Sequence, residues 1–433
     1  MISLLGAPLL ALLLAHFTKY SLTKEYIFRE NENLPAYLFM CVITSLFLGL
    51  IISAEEIIRD RKILKRESFL NLSWFSYLNS KILIMFIISA IQSISFILIG
   101  NFILEIKGMT ITYWLVLFTT SCVANMMGLN ISSAFNSVIT IYILIPFILI
   151  PQLLFSGVIV KFDKLHLTSS SSREFVPVIG DLMAARWSFE ALAVKQFRDN
   201  DYEKRYFKSH MEESQSSYWA ILADELNKDL QKIFKDSINH RDLVNENFRR
   251  LNWHIDELAK LSNIVPGQWK SSLNTEKFNA DIYKEAKTYL ESLKSHFNHM
   301  LIEARSSEDA VTNSLDKALG EEGHIKLQND YENRRLKTVV LDLDNLDKKT
   351  YETREKIIQK YNPGYMKATS KYGRAHFYAP SKMIGNIEID TFWFNLLVLW
   401  LVTLGLYLTL YYNIFQKIVN GFENLRFKKS SEI

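Results

Sequence analysis

Five stretches of this chain contain no Asp, Glu, Lys or Arg: residues 1–18, 33–54, 82–104, 113–160 and 391–416. A bilayer's hydrocarbon core is about 30 Å thick and is crossed by about 20 helical residues, so the four shorter stretches each predict one span. The stretch 113–160 is too long for one span and fits two. Asn125, Asn130, Asn136 and the pair Ser132-Ser133 place its polar turn near 131–136. Six spans are therefore expected, at about 2–18, 34–54, 79–104, 113–130, 137–159 and 391–416.

Charge separates the rest. The whole chain carries 50 Lys+Arg against 46 Asp+Glu, a net charge of +4 over 433 residues. Residues 161–390 hold 36 of each sign, so the excess belongs to the apolar part. This composition excludes a disordered or collagen-like chain, and a nucleic-acid partner is not expected. Both cysteines, Cys41 and Cys122, fall in predicted spans, which rules out a disulfide framework in the polar region.

Lys and Arg in short loops mark the cytoplasmic face, because translocating them is disfavoured. Arg59, Arg61, Lys62, Lys65, Arg66 and Lys81 join Lys417, Arg426, Lys428 and Lys429 on one side, against Lys19, Lys24, Arg29 and Lys107 on the other. Both termini are then expected in the cytoplasm, residues 161–390 outside, and the chain in a plasma (inner) membrane. The rival reading of the first apolar stretch is a secretory signal, but only Ile2 and Ser3 precede it and no basic residue does. A chain that starts inside its first span also suggests a fragment or a missing upstream domain.

The fold class expected is all-α, with a helical bundle or coiled coil inserted between spans five and six. Apolar residues recur at three- and four-residue steps in three runs. The first is Val244, Phe248, Leu251, Ile255 and Leu258; the second Tyr283, Ala286, Leu290, Leu293, Phe297 and Leu301; the third Leu336, Val340, Leu343 and Leu346. Pro266-Gly267 and the pair Gly320 and Gly323 separate them, giving a bundle over about 215–360. Residues 362–380 read as an irregular return to the last span, with Tyr372, His376, Phe377 and Tyr378 either at the membrane surface or packed on the bundle.

Two segments carry the functional expectation. Glu55 to Phe69 is densely charged and directly continues a span, with Ile57, Ile58, Ile63 and Leu64 on an apolar side. Such an amphipathic helix lies on anionic lipid or docks a cytoplasmic partner; the plainer alternative is a basic topology determinant. Pro151 to Leu165 closes the fifth span, where Pro146 and Pro151 disturb the helix. Leu153 and Leu154 follow where an apolar constriction closes a pathway by excluding water, unless they simply face lipid.

The run Pro151, Leu153, Leu154, Phe155, Ser156, Gly157, Val160, Phe162, Asp163 resembles the fifth-span exit of the G subfamily of ABC transporters. Arg186-Trp187-Ser188-Phe189-Glu190-Ala191-Leu192 resembles that subfamily's Arg-Tyr-x-x-Glu-[Ala/Gly]-Leu element, and Glu55 to Lys81 its charged connecting helix. The resemblance covers about 1–192 and 391–416. It implies that Glu55, Glu56, Arg59, Asp60, Arg61, Lys62, Arg66 and Glu67 couple to an ATP-binding domain. It further implies that Leu153, Leu154 and Phe155 form a gate, and that Arg186 and Glu190 lie in a re-entrant outer element at about 175–195. The function expected is the permease half of an exporter, working as a dimer with membrane lipid around it. The insertion departs from the subfamily, and so does the missing ATP-binding domain. No G-x-x-x-x-G-K-[S/T] loop and no Leu-Ser-Gly-Gly run occurs, so ATP and Mg²⁺ would come through a partner domain or subunit.

Gln92, Asn125 and Gln152 are candidate cavity residues; with Ser93 and Asn395 they are polar groups inside spans that otherwise bond across helices. No metal site is expected from His296 and His299. The Asn71 and Asn130 glycosylation triplets fall on the cytoplasmic side or within the membrane. The alternative function is a membrane-anchored envelope scaffold or receptor whose outer bundle binds an envelope protein.

Overall fold

A computed structural model describes residues 2–20, 25–67, 73–166, 174–236, 241–345, 350–353 and 356–421. Lys24, Asn71, Leu346, Arg426, Lys428 and Lys429 lie outside the described residues, as do the side chains of Lys65, Glu67 and Val244. The fold is almost entirely α-helical and divides into two compact units, one of residues 1–201, 328–337 and 368–433, the other of 202–327 and 338–367.

The first unit contains helices α1 (Ile2–Thr18), α2 (Leu34–Ala54), α3 (Glu56–Glu67), α4 (Trp74–Leu104), α5 (Thr110–Ala134) and α6 (Val138–Leu154). The short α7 (Val178–Asp181) and α8 (Ala184–Arg198) follow, and α13 (Thr391–Tyr411) closes it. Among the described residues four helical stretches are long and apolar enough to cross a membrane, rather than the six expected: Leu34–Leu64, Trp74–Leu104, Thr110–Ala134 and Thr391–Tyr411. α1 and α6 are apolar but have 17 residues each. At 1.5 Å per residue that is about 25 Å, at the short end for a bilayer. α6 stops at Leu154 instead of near 159, and α5 runs on to Ala134, so the turn between them is only 135–137.

Close packing of α2 on α5 organises this unit. Ser45, Gly49 and Ser53 form a small-residue stripe on α2, facing Ser121, Ala124 and Gly128 on α5. Lipid offers no hydrophobic gain for helix association, so close backbone approach and interhelical hydrogen bonds hold such pairs. Ser45 Oγ lies 2.6 Å from the Leu117 carbonyl oxygen and 2.7 Å from Ser121 Oγ. A Cβ on Gly49 would sit 2.7 Å from Ala124 Cβ and 2.8 Å from the Ser121 carbonyl oxygen.

The second unit is built from α9 (Glu203–Asp236), α10 (Arg241–Ser262) and the 280–327 part of α11 (Ala280–Tyr331). Its core contains Leu226, Leu230 and Ile233 from α9, Phe248, Leu251, Ile255 and Leu258 from α10, and Ala286, Leu290, Leu293 and Phe297 from α11. The first two apolar runs are thus core stripes. Pro266-Gly267 lies in the break between α10 and α11, and the bundle begins at 203, earlier than read from the spacing. Gly320 leaves helical geometry at φ 74° and kinks α11, which otherwise continues to Tyr331. The third run yields only the seven-residue α12 (Arg334–Val340). Residues 328–337 pack in the first unit, where Asn333 Nδ2 donates to the carbonyls of Phe28 (2.9 Å) and Asn31 (2.8 Å).

The all-α expectation needs correcting in two places. β1 (Thr350–Glu352) pairs antiparallel with β2 (Ile357–Gln359), and β3 (Ser381–Ile384) with β4 (Ile387–Asp390). The second hairpin turns through Gly385 and Asn386, with Gly385 at φ 60°, a left-handed conformation that favours glycine. β4 runs without a linker into α13, whose first turn is capped by Asp390 Oδ1 accepting from Phe392 N at 2.8 Å.

Candidate functional site

α3 sorts its charges by direction. Glu56 is buried, and Lys81 of α4 reaches both Glu56 Oε2 (2.9 Å) and Asp60 Oδ2 (2.6 Å). Tyr77 Oη adds a bond to Asp60 at 3.2 Å. On the same side Ser132 Oγ accepts from the backbone N–H groups of Ile57 (3.1 Å) and Ile58 (3.0 Å), filling two of the unpaired donors at the helix start. Arg61 bonds the Ser133 carbonyl at 2.8 Å and the Asn136 side chain. Ile57 is buried among Leu78, Ile82, Met126, Leu129 and Leu410.

What remains outward is basic. Arg59, Lys62 and Arg66 are exposed, and Arg59 pairs with Glu56 at 2.5 Å, one residue on from the Glu55 the four-residue spacing suggested. Glu55 is half-buried. Ile63 is exposed rather than on the apolar side. Six of the eight expected coupling residues therefore divide: Glu56, Asp60 and Arg61 hold the helix, while Arg59, Lys62 and Arg66 point outward.

At the end of α6, Leu153 and Phe155 are half-buried and Leu154 is exposed on a stripe with Ile139, Ile143, Phe147 and Ile150. The Phe162 ring fills the space that a Cβ on Gly157 (2.4 Å away) or Gly180 (2.8 Å) would need, and it meets Phe377 edge to face at 5.3 Å. Gly157 has φ 81°, so the Ser-Gly of the exit motif ends the helix and seats that ring. Gln152 Oε1 accepts from the Ala185 N–H at 3.0 Å, capping the start of α8. Asn125 Nδ2 bonds Ser89 Oγ of α4 at 2.8 Å. Of the three cavity candidates, Gln92 lines a crevice with Thr44, Ser45, Ser93, Phe96 and Ser121.

Among the described residues, the largest concentration of buried charge surrounds Arg186 and Glu190 on α8. Glu190 Oε2 accepts from Lys382 Nζ of β3 at 2.6 Å and from Asn395 Nδ2 of α13 at 2.8 Å. Lys382 Nζ also donates to Asn395 Oδ1 at 2.8 Å, closing a triangle. Arg186 Nη1 lies 3.6 Å from both Glu190 Oε2 and Asp181 Oδ1, and its guanidinium stacks 3.9 Å over the Trp187 ring. Lys382, Glu190 and Asn395 are fully buried and Arg186 is 1% exposed. Burial would raise the Glu190 carboxyl, but Arg186 and Lys382 outweigh it and hold it below its usual range. Burial pulls the Lys382 ammonium down to about 7, with Arg186 adding repulsion against the pull of Glu190. Burial also raises Asp181.

Sequence reasoning found Arg186, Glu190 and, as a polar residue in a span, Asn395. It missed Lys382, which sits 192 residues from Glu190. It also missed Lys81 as the clamp of α3, although Lys81 is counted with the cytoplasmic charges. Tyr372 is exposed, whereas Tyr378 is buried beside Phe189 at 6.3 Å, so that aromatic group does not form one belt. His299 is exposed and pairs with Glu303, His296 packs edge-on against Phe297, and no metal-holding group of three or more His, Cys, Asp or Glu occurs among the described residues. Asn130 is buried, with Nδ2 donating to the Leu406 carbonyl (2.9 Å) and Oδ1 accepting from Thr409 (2.9 Å), a bridge between α5 and α13 and not a glycan acceptor.

Residues 2–196 match the family of ABC-2 type transporters. No curated protein matches the chain. The chain thus has a membrane-embedded helical region resembling an ABC-2 transporter segment, and it contains no ATP-hydrolysing motif of its own.

Proposed function

We propose that this chain is the permease half of an ABC-type exporter, with α1, α2, α4, α5, α6 and α13 as its six spans and both ends of the chain in the cytoplasm. The second unit is then extracytoplasmic, and two copies enclose the pathway, which one six-helix half does not close. An ATP-binding domain, on a separate polypeptide or further along a longer one, brings ATP and Mg²⁺ and presses on α3. Leu153, Leu154 and Phe155 form the outward constriction.

One observation carries the reading beyond the match of residues 2–196. α3 is fixed to α4 and α5 through Lys81, Ser132 and Ser133, yet its free face holds Arg59, Lys62 and Arg66. A topology signal needs only the positive charges; a lever also needs firm attachment to the helices it moves. A second reading, the envelope scaffold, is favoured by exposed apolar residues Leu261 and Val265 at one turn of the helical unit, outside the matched segment.

The test is purification of the tagged chain from its own membranes in mild detergent. Vanadate-sensitive ATPase should accompany it and should be lost in the Arg59→Glu, Lys62→Glu, Arg66→Glu triple variant. A stable wild-type chain without accompanying ATPase would favour the scaffold. Labelling of cysteines introduced at 62 and 417 from opposite faces of sealed vesicles would overturn the topology.

A further inference from the structure

We infer that Lys382 is a proton-sensitive latch: it fastens the β3–β4 hairpin, which lies outside the matched segment, onto α8 and α13, and proton uptake favours its release to solvent. Three elements meet at one ammonium, which bonds Glu190 of α8, 192 residues away in sequence, at 2.6 Å and Asn395 of the neighbouring α13 at 2.8 Å. Asn395 in turn bonds the Trp187 carbonyl at 3.0 Å, so the same triangle joins α13 to α8. Aromatic walls exclude water: Lys382 Nζ stands 4.5 Å from the Trp187 ring centre and 5.3 Å from that of Phe394.

The charges do not balance. Facing Lys382 from α8 are Glu190 and Arg186, with Asp181 from the preceding turn; α13 contributes only the neutral Asn395. Asp181 is also approached by Arg374 at 4.0 Å, and within the hairpin Glu388 is engaged by Ser381 at 2.5 Å. The buried core of the cluster therefore holds two cations, Arg186 and Lys382, against the Glu190 carboxylate. Arg186 Nε, Arg186 Nη1 and Glu190 Oε1 have no hydrogen-bond partner, so the cluster is not saturated. Arginine does not give up its proton, so Lys382 is the cation that relieves the excess.

The sign follows from linkage. Lys382 titrates near 7 when latched and near 10.5 when solvated. Between those values the released state binds more protons, so the latch strengthens as pH rises above 7 and is weakest below it. From pH 6.5 to 8.5 those two values lower the opening constant about 25-fold.

The experiment uses the full chain in lipid nanodiscs and needs neither nucleotide nor a partner, so its failure is distinct from failure of the transport reading. Hydrogen exchange of residues 376–390, corrected for intrinsic rates, is followed at pH 6.5 and 8.5. Opening should fall more than tenfold in the wild type, and Lys382→Arg, which keeps a cation that cannot deprotonate, should show a flat profile. A structural role alone predicts that arginine follows the wild type. A wild-type change under threefold, or an arginine variant that tracks the wild type, overturns the latch. Because the wild-type series stands alone, the outcome does not depend on a variant folding.

Discussion

Replacing Lys81 by Met tests whether α3 is clamped as its geometry states. Lys81 is 19% exposed and serves two carboxylates, Glu56 and Asp60, at 11% and 20% exposure. Breaking a fully buried pair by removing one partner costs about 3–5 kcal/mol, and an exposed pair about 0–1 kcal/mol. Glu56 keeps Arg59 and Asp60 keeps the Tyr77 hydroxyl, so the loss lies between, at about 2 kcal/mol. That is about 30-fold in the ratio of undocked to docked α3. Cysteine placed at Ile57, which is 3% exposed when docked, reports this population through its maleimide reaction rate. Native Cys41 and Cys122 are both buried and provide a quiet background. Lys81→Met should raise the rate about 30-fold and Lys81→Arg much less. Removing all three charges together, with Glu56→Gln and Asp60→Asn, should restore most of the docking, because no buried charge is left unpaired. A Lys81→Met rate within threefold of the parent, or a triple variant worse than the single, would refute the clamp.

Gly49→Leu should force α2 from α5 and break the Ser45 bonds, lowering stability by about 2–3 kcal/mol in thermal unfolding of the nanodisc-embedded protein, whereas Gly6→Leu, whose Cβ meets nothing within 4 Å, should be neutral. His254 is buried, and burial, with Arg250 and Lys356 nearby, lowers it to about 3, while its Nε2 accepts from the Ile357 N–H at 2.8 Å. The unfolded state binds the extra proton between about 3 and 6.5, so the helical unit should lose about 2 kcal/mol from pH 7 to 5, measured by hydrogen exchange of 248–258. His254→Gln, which keeps the acceptor, should remove that slope; an unchanged slope would assign it elsewhere. Asn130→Leu should cost about 1–2 kcal/mol by cutting the α5 to α13 bridge, and an unchanged melting temperature would show the bridge to be idle.

Much of the membrane-embedded unit was legible because charge is excluded from hydrocarbon: residues 34–54 were read to their ends, and α2 occupies that range. The fifth apolar helix was read too long because hydropathy continues past Leu154, while Phe155 and the left-handed Gly157 stop the helix. In the helical unit, spacing found the faces of α10 and α11, since a core stripe is a local pattern. The β3–β4 hairpin escaped because its signal is only the two-residue Gly385-Asn386 turn between two four-residue strands, directly after the irregular stretch 362–380. Charge direction was not legible at all. Glu56 and Arg59 are equally polar in sequence, and only the position of Lys81 on α4 turns one inward and leaves the other out.

The two charged clusters differ in what their geometry permits. At α3 two carboxylates share one lysine beside partly open surface, and each has a second partner. Such an arrangement tolerates solvent and gives firm attachment. At α8 two fully buried cations share the one fully buried carboxylate, with the half-buried Asp181 3.6 Å from Arg186 at the rim, and polar atoms of Arg186 and Glu190 stay unpaired. A lone buried excess charge is costly unless a proton leaves or the group reaches water. The first cluster is therefore suited to transmitting force and the second to yielding. Arg186 and Glu190 fall within the match to ABC-2 type transporters, while Lys382 and Asn395 come from beyond it. The chain beyond the match thus does more than add a helical unit: it supplies the hairpin lysine that decides how firmly α8 is held.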